Sequence, residues 1–332
     1  MAISIQKITS IPEVKKVLNS EFDSEKEVRI STDTRTIKEG DFYLPLKGAS
    51  FDGEEFILQA IEKGAIGSFC TKPSVNNKCL LLLVPDTLIA YLQLANFKRR
   101  NKNYTVIAVT GSSGKTTTKE LVASTVAEKY ITFKTPLNHN NEIGFCQTIF
   151  EMPDDTEVLV LEMGMRGLGE IELLSKYAEP DITIIANVGT AHIGRLGSRE
   201  NILKAKLEIL EGLQDNGTII INNDNDLLHD YFKNKKTKYN LITIGINNKS
   251  TYMATDIKEE PFNSTFKVND EEININVGGL PFIYNSLVAY ALGKLFEIPT
   301  SNIKTAINNF KLSPHRLERI INKKRVTIID DT

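Results

Sequence analysis

The strongest constraint on the fold is a regular alternation of predicted strands and helices that begins near Tyr104. Apolar runs predict strands at residues 106–110, 158–161, 182–186 and 217–221. Each of the first three is followed by a turn and a predicted helix; these helices run through about Glu128, over 170–177 and over 199–210. Such alternation predicts a mainly parallel sheet covered by helices on both faces. Sheets of this kind bind ligands beyond the carboxyl ends of their strands.

Residues before this region have shorter predicted elements. Strands are predicted at 41–46, 67–70 and 80–84, and an amphipathic helix at 55–63. The polar residues 98–103 predict a linker. We therefore expect an α/β protein with a small N-terminal domain over residues 1–100 and a central domain over 101–313.

The last part of the chain predicts a further set of elements. Short alternating stretches over 241–277 predict antiparallel strands that extend the sheet, and helices are predicted over 282–296 and 301–310. A buried strand is predicted at 325–329, close to the last residue of the sequence. Because a core strand needs a neighbouring element to cover it, we expect residues 314–332 to begin a third, truncated domain.

The composition limits the classes of function. The 40 Lys and Arg residues nearly balance 42 Asp and Glu residues, which argues against a chain that binds nucleic acid or an anionic membrane through its overall charge. Three scattered cysteines, Cys70, Cys79 and Cys146, favour neither a disulfide framework nor a zinc site. The first residues carry no signal pattern, and no apolar run approaches the roughly 20 residues that span a bilayer. The sequence thus predicts a cytoplasmic protein without membrane insertion.

A phosphate-binding loop is predicted between the strand 106–110 and the helix after it. Glycines in this loop let successive backbone N–H groups face an anion at a helix N-terminus. Lys115 would reach the phosphates, and the Thr116 hydroxyl would bind Mg²⁺. Val109 stands where the usual pattern has its first glycine, so a glycine-rich turn with a chance lysine is the alternative. The candidate ATP-binding residues are Gly111, Ser112, Ser113, Gly114, Lys115, Thr116 and Thr117.

Further candidate residues follow other predicted strands. Glu162 could bind Mg²⁺, which prefers oxygen ligands, or it could be a solvated loop residue. His192 lies in a loop, where histidine is more often a surface or packing residue, and Lys206 lies on a helix, where an isolated lysine is usually solvated. By themselves the asparagines at 138, 140 and 141 are typical of a turn.

Together these segments resemble the Mur ligases, and within that family the branch that adds D-alanyl-D-alanine to UDP-N-acetylmuramoyl-tripeptide. The resemblance runs in order along nearly the whole chain and rests on several separate segments. These are residues 31–35 and 47–53, the loop 110–117, and residues 138–144, 161–167, 187–192, 197–198 and 205–209.

The resemblance implies a UDP-sugar-binding domain followed by a P-loop ATPase domain, with ATP and Mg²⁺ as cofactors. ATP would phosphorylate the terminal carboxylate of the UDP-muramoyl-tripeptide, and the D-alanyl-D-alanine amine would attack the acyl phosphate. Lys206 would be carbamoylated and would bind metal with Thr116, Glu162 and His192. The implied catalytic residues are Lys115, Lys206 and His192; Asn141 and Arg316 would join the ATP site; and Ser31, Thr32, Asp33, Arg35, Lys47 and Asp52 would bind the UDP-sugar substrate.

The sequence also departs from the family pattern. Phe282 stands where an asparagine contacts adenine in the family, and a phenyl ring can stack on a base but cannot hydrogen-bond to it. The family's third domain, which binds the incoming amino component, would start near residue 331. These 332 residues alone are therefore expected not to catalyse ligation.

Two other functions stay open at this point. The first is a catalytically silent module that binds a nucleotide and a UDP-sugar. The second is the related ligase that adds the third amino acid, against which residues 140–144 and 163–165 count.

Overall fold

The computed structural model describes residues 3–19, 22–48, 50–73, 79–136 and 139–312, together with the backbone of two strands at 318–321 and 327–330. The chain divides into two compact units. Unit 1 comprises residues 1–102 with 146–151, and unit 2 comprises residues 103–145 with 152–332. None of the helices in the described ranges is both long enough and apolar enough to cross a membrane.

Unit 1 is built on a five-stranded sheet in the order β2-β7-β6-β5-β4, in which β4 to β7 are parallel and β2 is antiparallel to β7. A further pair, β1 with β3, is antiparallel. The strands are β1 (Ile3–Ser4), β2 (Lys16–Leu18), β3 (Glu27–Val28), β4 (Ile30–Ser31), β5 (Phe42–Tyr43), β6 (Gly67–Cys70) and β7 (Leu80–Leu83). The helices are α1 (Ile5–Thr9), α2 (Ile57–Glu62), which follows a 3₁₀ turn at Gly53–Phe56, and α3 (Thr87–Arg100).

Unit 2 contains a seven-stranded parallel sheet in the order β14-β13-β12-β11-β8-β10-β9. The strands are β8 (Thr105–Thr110), β9 (Thr132–Lys134), β10 (Val158–Glu162), β11 (Ile182–Ile185), β12 (Thr218–Asn222), β13 (Asn240–Gly245) and β14 (Tyr252–Met253). The helices are α4 (Lys115–Val126), α5 (Glu142–Glu151, whose last six residues belong to unit 1), α6 (Glu170–Ala178), α7 (Ile193–Leu196), α8 (Arg199–Leu207), α9 (Asp226–Phe232), α10 (Leu280–Leu295) and α11 (Thr300–Asn308). The predicted α/β fold with a mainly parallel sheet is confirmed.

The central strands of this sheet are buried along their whole length. Every residue of β10 is buried, and Val106 to Thr110 of β8 are buried as well. Strands covered on both faces read as continuous apolar runs rather than as an alternating pattern. This is why the sequence predicted the four strands β8, β10, β11 and β12.

Residues 241–277 differ from the prediction. β13 and β14 do extend the main sheet, but they are parallel to it. The antiparallel strands β15 (Thr255–Glu260), β16 (Asn263–Val268) and β17 (Glu271–Ile275) form a separate sheet. Along β16 buried residues alternate with half-buried ones, so one face of this sheet packs on the core of unit 2 and the other is more exposed. The strands β18 (Glu318–Ile321) and β19 (Thr327–Asp330) pair with each other in antiparallel fashion.

The predicted linker at 98–103 is wrong for its first three residues, which form the last turn of α3. The helix begins at Asp86, whose side chain accepts hydrogen bonds from the N–H groups of Leu88 and Ile89. Three basic residues in the last turn suit the negative end of the helix dipole. The run of basic residues suggested a linker, but in the structure it forms the C-terminal turn of α3.

Lys98 is only 7% exposed and has a structural role within unit 1. Its ammonium donates to the carbonyl oxygen of Ile149, and to that of Phe150 at 3.2 Å. Both carbonyls lie in the last turn of α5, where helix carbonyls lack partners within the helix. Lys98 thus supplies hydrogen bonds to carbonyl oxygens at the C-terminal end of α5.

We expect Lys98→Met to lower the free energy of unfolding by about 1.5–3 kcal/mol, the usual contribution of a hydrogen bond to a charged group. The matched control is Lys16→Met, an exposed lysine on β2, which should change stability by less than about 0.5 kcal/mol. Urea denaturation of both variants measures the difference. Equal stabilities would contradict the capping role.

Candidate active site

Three loops of unit 2 meet at one edge of the parallel sheet. β8 lies between β10 and β11, with Glu162 opposite Val109 and Ile185 opposite Thr110. The predicted phosphate loop, Glu162 and the loop carrying His192 therefore all leave the sheet at the carboxyl ends of adjacent strands. This is where ligands of open parallel sheets bind.

The loop between β8 and α4 has the features of a phosphate-binding loop. Gly114 has φ +72° and precedes the first residue of α4, so a side chain at this position would be strained. Among the described residues, no hydrogen bond satisfies the backbone N–H groups of Gly114, Thr116 and Thr117. The Lys115 ammonium donates to the carbonyl oxygen of Gly111 at 3.0 Å. Unpaired N–H groups at a helix N-terminus and a nearby ammonium form a site suited to an anion.

Glu162 is a buried carboxylate, 4% exposed, at the end of β10. The Thr116 hydroxyl donates to its Oε2 at 3.0 Å, and the Asn140 amide donates to its Oε1 at 2.9 Å. The Asn140 side chain can reach Glu162 because residue 164 is glycine. A Cβ at position 164 would lie 2.9 Å from Asn140 Cγ, which is too close. The sequence suggested a metal-binding or a solvated Glu162; the second interpretation is wrong.

The Thr116 and Glu162 oxygens fit a magnesium ion chemically. Magnesium takes oxygen ligands at about 2.0–2.1 Å in an octahedron, so adjacent ligand oxygens lie about 2.9 Å apart. The observed separation is 3.0 Å. No cluster of three or more His, Cys, Asp and Glu side chains able to hold a metal occurs in the part of the chain that the structure describes. A metal here would therefore need donors beyond these four residue types, such as the Thr116 hydroxyl.

Lys119 was missed by the sequence analysis. It is fully buried, donates to the Thr135 carbonyl oxygen at 2.8 Å, and lies 3.2 Å from Glu120 and 3.8 Å from Glu162. A buried carboxylate requires a compensating charge, and Lys119 supplies it for Glu162. The available signal was its spacing: it shares the buried stripe of α4 with Val122 and Val126, where a charged residue is unexpected.

Lys206 is also buried, at 1% exposure, on α8. Its ammonium forms no hydrogen bond or ion pair with any described residue. Burial, together with the positive charge of Lys115, lowers the pKa of Lys206 to about 7. The common interpretation of an isolated helical lysine, a solvated charge, is therefore wrong at this position.

His192 lies at the start of α7 with φ 66°, and its side chain is exposed. Partial desolvation and the positive charges of Lys206 and Lys115 lower its pKa. The structure thus brings His192, Lys206 and Lys115 within electrostatic reach of one another. Near neutral pH such a histidine is predominantly an uncharged imidazole, the form that binds metal ions.

The remaining nucleotide candidates are placed as follows. Asn141 accepts a hydrogen bond from the Gly144 N–H at 2.9 Å in the first turn of α5. Arg316 and Asn138 lie outside the described residues. Phe282 is 8% exposed and belongs to the hydrophobic core of unit 2, so its ring packs in that core. Asn285, one turn later on α10, accepts from the Thr118 hydroxyl at 3.0 Å and lies beside Gly114.

The candidate substrate residues lie in unit 1, from the last residue of β4 onward and after β5, which is parallel to β4. Asp33 forms an ion pair with Arg35 at 2.7 Å, and Lys47 lies 3.7 Å from Asp52. Burial, with the charges of Asp33 and Asp52, raises the pKa of Tyr43 to about 12, which places both carboxylates around this residue. Ser31 is buried, and its hydroxyl donates to the Asp33 carbonyl oxygen at 3.2 Å. Thr32 is half-buried between them.

Comparisons with known proteins agree with this arrangement. Residues 109–293 match the model of the Mur ligase middle domain, and residues 28–122 match that of the Mur ligase family catalytic domain. UDP-N-acetylmuramoyl-tripeptide–D-alanyl-D-alanine ligase of Bacillus subtilis is 37% identical over 306 residues, which cover 91% of this chain and 66% of the relative. The enzyme of the same name from Escherichia coli is 31% identical, with 91% and 68% covered.

Solved structures show the same likeness. MurF from Acinetobacter baumannii superposes with a TM-score of 0.92 and 28% identity, covering 100% of this chain and 73% of that one. MurF ligase from Thermotoga maritima, solved in complex with ADP, gives a TM-score of 0.83 and 29% identity, with 92% and 71% covered.

The chain spans about two thirds of the length of the curated relatives it matches. The middle-domain model covers more than half of the chain. The phosphate loop, Glu162 and the segment that leads to His192 follow adjacent strands at one edge of the sheet of unit 2. The chain belongs to the Mur ligase family.

Proposed function

We propose that this protein uses ATP to join D-alanyl-D-alanine to UDP-N-acetylmuramoyl-tripeptide in the synthesis of peptidoglycan precursors. The observation that carries the proposal is the position of the buried Glu162 and the Thr116 hydroxyl, 3.0 Å apart, in the phosphate loop region where the N–H groups of Gly114, Thr116 and Thr117 have no partner among the described residues. The names of the relatives specify the branch of the family. The chain spans about two thirds of the length of those relatives. The complete reaction is therefore a proposal for this protein.

The proposed reaction has two steps. The terminal carboxylate of the tripeptide attacks the γ-phosphorus of ATP, which releases ADP and leaves an acyl phosphate. The amine of D-alanyl-D-alanine then attacks the acyl carbon, inorganic phosphate leaves, and an amide bond forms. Lys115 and the N–H groups of the loop would stabilise the negative charge on the transferring phosphoryl group.

The residues that would hold Mg²⁺ are Thr116, Glu162, His192 and Lys206. The ion would neutralise charge on the phosphate oxygens. Lys119 would keep the Glu162 carboxylate buried and correctly placed whether or not the ion is bound. Asn141 and Arg316 are proposed for the ATP site on the resemblance.

Carbamoylation of Lys206 fits its surroundings. An uncharged amine is the form that reacts with CO₂, and burial beside Lys115 favours that form. The product is a carboxylate on a long side chain, which would replace a repulsion between two ammonium groups by an attraction. It would also add an oxygen donor at a site where the described His, Cys, Asp and Glu side chains form no cluster of three.

Unit 1 is proposed to bind the UDP-muramoyl-peptide through Ser31, Thr32, Asp33, Arg35, Lys47 and Asp52. We propose that residues 1–100 form this substrate-binding domain, that residues 101–313 form the ATPase domain, and that residues 314–332 begin a third domain. Cys70, Cys79 and Cys146 are buried free thiols, as is usual in a reducing compartment, so we propose the cytoplasm as the compartment.

The choice of peptide substrate separates the proposal from the related ligase. Thermal-shift measurements with UDP-N-acetylmuramoyl-tripeptide and with the corresponding dipeptide should show stabilisation by the tripeptide, by a few degrees at a hundredfold excess over Kd. A larger shift with the dipeptide would favour the ligase that adds the third amino acid. Binding of magnesium-ATP and of the tripeptide by the full-length protein, without phosphate release that depends on D-alanyl-D-alanine, would favour the silent module.

Lys115→Ala should weaken the binding of ATP by about 10- to 150-fold, because it removes an interaction between an ammonium and a phosphate. Calorimetric titration with magnesium-ATP measures the change. Lys236→Ala, an exposed lysine of unit 2, should bind as the wild type does. Unchanged affinity in the Lys115 variant would refute the assignment of the phosphate loop.

The buried Lys206 should make stability depend on pH. Its pKa of about 7 in the folded protein lies below the roughly 10.4 of an unfolded lysine, so between these values the unfolded state binds more protons. The free energy of unfolding of the wild type, relative to Lys206→Met, should therefore rise with pH by up to about 1.4 kcal/mol per pH unit above pH 7.

Urea denaturation in CO₂-free buffers between pH 6 and pH 10 tests this. Below pH 6.5 the difference between the two proteins should be nearly constant. A difference that stays flat across the whole range would show that the lysine is solvated, and the argument for its carbamoylation would fall with it.

A further inference from the structure

Asn187, two residues after β11, forms hydrogen bonds with the phosphate loop although it lies outside that loop. Its side-chain oxygen accepts hydrogen bonds from two successive backbone N–H groups of the phosphate loop, that of Ser112 at 3.1 Å and that of Ser113 at 3.0 Å. Its side-chain NH₂ donates to the Ser113 carbonyl oxygen at 3.0 Å. A single carboxamide therefore holds both the N–H groups and a carbonyl of the first half of the loop.

Backbone contacts strengthen this connection. The Ala186 N–H donates to the Thr110 carbonyl oxygen at 2.9 Å, and the Ser112 N–H lies 3.1 Å from the Asn187 carbonyl oxygen. The Gly189 N–H donates to the Ser112 hydroxyl at 2.9 Å. The pairing of β8 with β11 thus continues past the ends of both strands, and Asn187 lies at its centre.

The contacts divide the loop into two halves. The N–H groups of Ser112 and Ser113 are bound by Asn187, whereas those of Gly114, Thr116 and Thr117 have no partner among the described residues. Ser112 and Ser113 are therefore held in place by the protein, whereas the N–H groups of Gly114, Thr116 and Thr117 are available to a ligand. A loop held in its binding conformation loses less conformational entropy when an anion binds.

We infer that Asn187 is a positioning residue of the phosphate loop: its carboxamide fixes Ser112 and Ser113 so that the N–H groups of Gly114, Thr116 and Thr117 converge on a nucleotide phosphate. The inference rests on the proposed nucleotide binding and adds to it a residue outside the loop. Asparagine is required because it both accepts and donates. A carboxylate could accept from the two N–H groups but would repel the Ser113 carbonyl oxygen and the phosphates.

Calorimetric titration with magnesium-ADP tests the inference on the wild type and on Asn187→Ala and Asn187→Asp. The alanine variant should bind about tenfold or more weakly, since at least two hydrogen bonds that order the loop are lost. The aspartate variant should bind more weakly still, with a loss that shrinks as salt concentration rises. Asn240→Ala is the matched control, because Asn240 is exposed at the amino end of β13, and its affinity should be that of the wild type.

Hydrogen exchange gives a readout that does not depend on nucleotide. In the nucleotide-free protein, the backbone N–H groups of Ser112 and Ser113 should exchange faster in Asn187→Ala than in the wild type, while β8 stays protected. If the alanine variant does not fold, Asn187→Ser, which retains an acceptor, takes its place, and it should show the same changes to a smaller degree.

Equal or tighter ADP binding by a folded Asn187 variant would overturn the inference. Tighter binding would mean that the carboxamide competes with the phosphate, and unchanged exchange would mean that it does not order the loop. These outcomes are distinct from failure of the proposed function, in which the wild type itself would not bind magnesium-ADP.

Discussion

The buried carboxylate of Glu162 is the group on which the rest of the site depends. An ionised carboxylate with 4% exposure is stable only if charge and hydrogen bonds replace the water it has lost. Lys119 provides the charge, and Thr116 and Asn140 donate one hydrogen bond to each oxygen. Since these residues come from α4 and from the turn before α5, satisfying one carboxylate also fixes both segments against β10.

Three lysines, Lys115, Lys119 and Lys206, lie near the same edge of the sheet. Lys119 lies close to Glu120 and Glu162, and Lys206 lies within electrostatic reach of Lys115. Burial is the main cause of the lowered pKa of Lys206, and before any nucleotide binds the repulsion between Lys206 and Lys115 lowers it further. A polyphosphate would relieve this repulsion. The site is thus electrostatically prepared for an anion while the chain as a whole is almost neutral.

Much of the core of unit 2 could be predicted from the sequence, and several functional side chains could not. The strands β8, β10, β11 and β12 were predicted because they are buried on both faces and read as apolar runs. In unit 1, β5 lies within the strand predicted at 41–46, whereas β4 was not predicted because its two residues are too few for a periodic pattern. The end of α3 was mistaken for a linker because its basic residues are typical of a solvated stretch. Asn187 lay in a recognised motif, yet its partners Ser112 and Ser113 are 74 or 75 positions away.

The sequence by itself determined the alternating order of strands and helices, the phosphate loop and the family, since each of these depends on neighbouring residues. Only the tertiary structure decided the state of individual side chains. Lys206 and Lys119 are both helical lysines and look alike in the sequence. Lys206 is buried and forms no hydrogen bond or ion pair with the residues that the structure describes, whereas Lys119 lies beside Glu162. Burial and charge pairing arise from segments distant in the chain, and parallel strands bring those segments together at their carboxyl ends.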